Sequence, residues 1–185
     1  MVLSRLVLPA AALEPLSLRR RAAVAIVVGP DDDTLFIRRA TREGDPWSGD
    51  MAFPGGRHDP GDLSLRHTAE REAREEVGLD LSGAPYLGAM DCLMSPLRDP
   101  SGAFGIFPFV YRVDAFPPLD PNEEVASVHY LNLGRIFAGE GRGEFRYQGW
   151  GVDRMLPCVR IDGIFLWGLT LRMIDNLAER AGVTR

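Results

Sequence analysis

Three glutamates crowded onto one predicted helix constrain this chain more than any other feature. In Arg71-Glu72-Ala73-Arg74-Glu75-Glu76-Val77-Gly78-Leu79 the carboxylates stand at i, i+3 and i+4, so a helix brings all three to one face. They also lie near the helix C-terminus, where the macrodipole is already negative. Each like-charge neighbour costs roughly 0.2–0.5 kcal/mol, and a chain that accepts this cost is expected to place a cation there. A Gly-rich turn, Phe53-Pro54-Gly55-Gly56, precedes the helix. The rest of the chain is expected to build a pocket around turn and helix. The bland alternative is a solvated face laced by pairs such as Arg71–Glu75.

The other elements read as strands and turns around that pair. Ala22 to Val28 is an apolar run closed by Gly29-Pro30 and is expected to be a buried strand. Asp31 to Asp33 reads as a hairpin tip, and Thr34 to Arg39 returns as the second strand. Trp47 is a core plug or a wall for a planar ligand. Met51 to Phe53 is a short strand feeding the Gly-Gly turn. The helix should run from about Leu65 to Val77, capped by Asp62 or Ser64 and stopped by Gly78. Ala69, Ala73 and Val77 give it a narrow buried stripe. Tyr86 to Met94 and Ile106 to Tyr111 follow as strands, the latter demoted to an edge or bulge by Pro108. Val125 to Leu131 is a strand, Asn132 to Ala138 a short helix, and Phe145 to Tyr147 and Met155 to Ile161 form further extended segments. A final helix is expected from Phe165 to Arg180. This order implies a single α/β or α+β domain with a mixed sheet, preceded by an N-terminal leader over residues 1–20.

Composition narrows the function. Hydrophobic content of 45% with 25% charged residues suits a globular domain, and the net charge of -5 argues against nucleic-acid or membrane-surface binding. Cys92 and Cys158 fit no metal spacing and read as buried thiols. There is no strand–GxGxxG–helix unit and no Gly-Lys-Ser/Thr phosphate loop. A cytoplasmic enzyme is the default, with its oligomeric state open and a homodimer among the options.

The segment from Gly56 to Leu79 resembles the Nudix box. Arg71, Glu72, Glu75, Glu76, Gly78 and Leu79 occupy its defined positions, and Asp62 takes its early Glu slot with one residue more before Arg71. That longer spacing, with Phe53-Pro54-Gly55-Gly56, Asp59 and Arg71-Glu72-Ala73, is similar to the coenzyme A pyrophosphatase branch. Leu166-Trp167-Gly168-Leu169-Thr170 is similar to the start of that branch's last helix. An Arg slot upstream of Gly49 holds Asp45 instead.

The resemblance implies an α/β/α sandwich spanning 21–181 and hydrolysis of a pyrophosphate bond in a nucleoside diphosphate linked to another moiety. Coenzyme A or a derivative leads, with ADP-ribose, nucleotide sugars and dinucleotides as alternatives. A catalytically inactive nucleotide-sensing module is the alternative of another class. The resemblance also implies Mg²⁺ or Mn²⁺ held by Glu72, Glu75 and Glu76, with the Gly55 or Gly56 carbonyl as an extra ligand and Gly56 first, hard oxygen donors for a hard cation. Arg71 orients a glutamate. Glu75, Glu123 or Glu124 is the expected general base. Arg38 and Arg39, with Arg42 nearby, and the Gly55-Gly56 turn are expected to hold substrate. His58, His67 and His129 are scattered.

Overall fold

The computed structural model describes Leu3, Leu8, Leu18 and residues 20–45, 47–95, 104–149 and 151–183. Its strands, in chain order, are β1 (Arg20–Val28), β2 (Asp33–Arg39), β3 (Met51–Ala52), β4 (Gly55–Arg57), β5 (Tyr86–Ala89), β6 (Leu93–Met94), β7 (Phe104–Arg112), β8 (Val125–Asn132), β9 (Arg142–Gly149), β10 (Val152–Ile161) and β11 (Ile164–Trp167). The helices are α1 (Leu65–Val77), α2 (Leu133–Phe137) and α3 (Gly168–Arg180).

The apolar run predicted from Ala22 is the centre of an eight-stranded mixed sheet. Side chains on β1 alternate between faces. Ala23, Ala25 and Val27 join one core with Leu65, Ala69, Ala73 and Val77 of α1. Ala22, Ile26 and Val28 join the other with residues of α2 and α3. A strand covered on both faces needs no polar alternation, and helices on both sides make the expected α/β/α sandwich.

The expected β1–β2 hairpin closes only at its tip, where Val28 pairs with Thr34. Beyond that, β2 leaves to pair with β8 and β3. The vacated edge of β1 is taken by β4, from Ala22↔Arg57 to Val24↔Gly55. The Gly-Gly turn is thereby pinned to the middle of the sheet. The other edge of β1 runs parallel to β7 along its full length.

Three expectations are corrected. First, β7 is a central strand despite Pro108. The Pro108 carbonyl accepts from Met90 N–H at 2.9 Å. In a strand the N–H of a residue points to the same side as its C=O, so the missing donor faces Met90 in the break between β5 and β6, where the ladder is already interrupted. Second, Tyr86 to Met94 is interrupted at that same break rather than continuous. Third, the last helix begins at Gly168, because Ile164 to Trp167 pair with β10 as the edge of a separate antiparallel sheet, β9–β10–β11. Gly168, at φ 61°, makes the strand-to-helix break.

The predicted bounds of α1 hold. Ser64 Oγ accepts from His67 N–H, and Gly78 closes the helix at φ 70°. The leader lies outside the described residues except for Leu3, Leu8, Leu18 and Arg20. Leu3 and Leu8 are buried. Leu3 N–H donates to Asp32 Oδ1 at 3.1 Å and Leu8 N–H to Leu87 O at 3.1 Å. Cys158 is buried and Cys92 half-buried, both as free thiols.

Candidate active site

A cleft of about 640 Å³ opens between α1, the Gly-Gly turn, the 39–50 loop and the start of α3. Helical geometry decides which glutamates enter it. At ~100° per residue, Glu76 lies only roughly 20° from Ala69 in the buried stripe, whereas Glu75 is turned roughly 120° away from it. Glu76 is accordingly 2% exposed, and Glu72 joins it in lining the cleft. Glu75 stands outside that lining, with Oε2 accepting from Arg71 Nη1 at 2.8 Å.

The two glycines are shaped to their neighbours. Gly55, at φ 158°, presses on β1 so closely that a Cβ there would meet Ala23 O at 2.3 Å. A Cβ on Gly56 would meet Glu72 Oε1 at 2.4 Å. Gly55 N–H donates to Glu76 Oε2 at 2.8 Å. Turn and carboxylates therefore interlock: a side chain at Gly55 would strike the backbone of β1, and one at Gly56 would displace the Glu72 carboxylate.

Burial and mutual repulsion dominate the electrostatics of the two glutamates. Burial pushes the Glu76 carboxyl up to about 8, and the charges of Glu72 and Glu124 add to this against the Gly55 N–H and Arg39. Glu72 is also raised by burial, with Arg71 opposing. Among the described residues no three His, Cys, Asp or Glu side chains form a ready-made metal-ligating group. A divalent ion that keeps waters and takes substrate phosphates needs only one or two carboxylates. Two desolvated, mutually repelling oxygen donors fit such an ion, with Glu124 close enough to raise both.

Arg71 holds this arrangement in place. It donates to Asp62 through Nε (2.9 Å) and Nη2 (3.1 Å), and to Arg57 O at 3.1 Å. Its Nη2 also lies 3.0 Å from Glu72 Oε1. Asp62, in the box's early Glu slot, has a buried side chain and further accepts from Asp59 N–H and Thr68 Oγ1. The Arg71 guanidinium, with these donors, holds the Asp62 carboxyl well below the usual carboxylate range.

The remaining predicted residues divide between cleft and surroundings. Arg39, Arg42 and Glu124 line the cleft. Arg42 Nη1 donates to Glu124 Oε1 at 3.2 Å across its mouth. Arg38 and Glu123 lie outside the lining, as do His58, His67 and His129. Asp45, which departs from the resembled motif, accepts from Arg39 Nη2 at 2.7 Å. Arg39 Nε is buried without a hydrogen-bond partner among the described residues. Trp47 lines the cleft, 6.3 Å between ring centroids from Phe104.

Asp50 is not among the expected site residues, and Trp167 is expected only as part of the segment that opens the last helix. Trp167 Nε1–H donates to Asp50 Oδ1 at 2.9 Å, across 117 positions of chain. Burial raises the Asp50 carboxyl, opposed by that bond and by Arg39. Asp50 adjoins Gly49 of the resembled motif, but nothing local foretells its partner.

The NUDIX domain family matches residues 18–147. The uncharacterized Nudix hydrolase NudL of Yersinia pestis (strain Pestoides F) is 33% identical over 166 residues, covering 89% of this chain and 81% of the relative. The NUDIX domain of Shewanella oneidensis NrtR, solved with ADP ribose, superposes with a TM-score of 0.53 at 17% identity, over 90% of this chain and 92% of that one. A C. elegans Ap4A hydrolase does so with a TM-score of 0.52 at 14% identity, over 64% and 84%. At such identities the solved structures speak for the fold alone. No helix among the described residues is long and apolar enough to cross a membrane.

Proposed function

The chain belongs to the NUDIX family, and on that premise we propose that it hydrolyses the pyrophosphate bond of a nucleoside diphosphate derivative, coenzyme A or a relative of it first. Pyrophosphohydrolase chemistry is the family's, and the observation that carries it to this site is the pair Glu72 and Glu76 interlocked with Gly55-Gly56 on the cleft. Phosphates are expected to lie against that turn.

Glu72 and Glu76 would hold Mg²⁺ or Mn²⁺, joined by the Gly56 carbonyl, with Glu75 completing the set from the outer side. The ion would neutralise phosphate charge and favour departure of the leaving phosphate. Arg71 keeps Glu72 oriented through its own anchorage on Asp62. Arg39 and Arg42 line the same cleft and supply guanidinium donors for phosphate oxygens, with Arg38 behind them on the same strand end.

Of the acids proposed as general base, Glu124 is favoured, because it alone among Glu75, Glu123 and Glu124 lines the cleft. It accepts the proton of the attacking water, and Arg42 releases it when a phosphate takes the guanidinium. The coenzyme A assignment rests on the spacing of Phe53-Pro54-Gly55-Gly56, Asp59, Asp62 and Arg71. ADP-ribose, nucleotide sugars and dinucleotides share the same diphosphate.

The test is incubation with Mg²⁺ or Mn²⁺ and each compound, with products identified by mass. Coenzyme A should yield adenosine 3′,5′-bisphosphate and phosphopantetheine. Turnover of another diphosphate with coenzyme A untouched overturns the substrate assignment. Absence of turnover with every member overturns the hydrolytic one.

A further inference from the structure

Resting on that reading, we propose that Asp50 selects the nucleobase, its carboxylate accepting a hydrogen bond from the exocyclic amino group of an adenine-type ring lodged beside Trp47 and Trp167. Asp50 lines the cleft together with both tryptophans. Its side chain accepts one hydrogen bond among the described residues, from Trp167 Nε1–H to Oδ1. Among the described residues Oδ2 accepts no hydrogen bond, on a side chain that lines the cleft.

The backbone around it is fixed from two sides. Asp50 N–H donates to Trp47 O at 3.2 Å, and Arg39 N–H donates to Asp50 O at 3.0 Å. A held acceptor of this kind discriminates better than a mobile one, because it cannot swing away from a mismatched partner.

A carboxylate repels phosphate and accepts from a donor group. The charges bearing on Asp50 are Arg39 and Asp45, not the glutamates of α1. The walls are flat and apolar: Trp47 beside Phe104, and Trp167 backed by Tyr147 at 5.2 Å between centroids. A planar heterocycle suits such walls. An amino-bearing base presents a donor to Oδ2. A hypoxanthine-type base presents a carbonyl at the same place, lone pair against lone pair, and leaves the carboxylate unpaired.

Binding of ADP and IDP to the full chain by calorimetry, and kcat/KM for ADP-ribose and its inosine counterpart with Mg²⁺, test this directly. The wild type should favour the amino ligand by about tenfold or more, the loss expected when one held acceptor is left unpaired. In Asp50→Asn, Trp167 N–H holds the amide oxygen and turns the NH₂ to the ligand, so the preference should reverse. In Asp50→Ala it should shrink to roughly twofold or less.

Each ratio is taken on one preparation, so partial loss of folded protein cancels. A wild type that does not discriminate, or a preference unchanged in both variants, overturns the proposal. Failure of the hydrolytic reading looks different: no turnover, with the binding preference intact.

Discussion

Replacing Glu76 by Gln tests the central feature of the site without relying on turnover. The amide keeps the size of the side chain, and its oxygen still accepts the Gly55 N–H, but the buried charge is gone. Without metal, the Glu76 carboxyl is raised from 4.5 to about 8 in the folded chain. A group with a raised folded pKa contributes its stability in full below the unfolded value. That contribution is lost as pH climbs towards the folded one. Linkage over this window, at about 1.4 kcal/mol per pKa unit, gives roughly 3 kcal/mol of stability lost between about pH 5 and pH 8. Urea unfolding in EDTA should show the wild type weakening by about that much relative to Glu76→Gln, whose own profile stays flatter. Adding Mg²⁺ or Mn²⁺ should restore the wild type at the upper pH by preferential binding to the native state, and do far less for the variant. Hydrolysis should fall by roughly two orders of magnitude or more in the variant. Parallel pH profiles for the two proteins in EDTA, or equal stabilisation by the ion, would refute the assignment of Glu76 as a desolvated ligand.

Gly56→Ala puts a methyl 2.4 Å from Glu72 Oε1; metal-dependent stabilisation measured by thermal unfolding should drop sharply, with the fold retained by circular dichroism. Asp62→Asn removes a buried carboxylate held by Arg71; since its folded pKa is depressed, it stabilises above the unfolded value and that stability is lost as pH falls. The variant should therefore be less stable by about 2 kcal/mol at neutral pH, after discounting for the part-exposed arginine, with the gap closing in acid unfolding series. Glu124→Gln should lower kcat about a hundredfold with KM little changed, as expected for a general base, while Glu123→Gln leaves both near wild type; equal losses would remove the distinction drawn from the cleft lining.

The features legible in the chain are local ones. The start and stop of α1 follow from Ser64 and Gly78, because a side-chain cap and a left-handed glycine act over one turn of chain. The both-faces-buried character of β1 follows from its unbroken apolar run. The pairing of the Gly-Gly turn with the glutamate helix was legible because both lie in one short segment whose spacing resembles a known box. Tertiary structure decided the rest. Which carboxylates are desolvated depends on how α1 is rotated against the sheet, and that rotation buries Glu76 while leaving Glu75 with Arg71 at the surface. Pro108 sits mid-sheet because its missing donor faces a break that only the β5–β7–β6 arrangement creates. Asp45 is accounted for by Arg39, and Asp50 by Trp167 from the far end of the chain. Hydrogen bonds between residues so distant in sequence leave no periodicity or spacing to read; they exist only once the sheet and the last helix have closed the cleft between them.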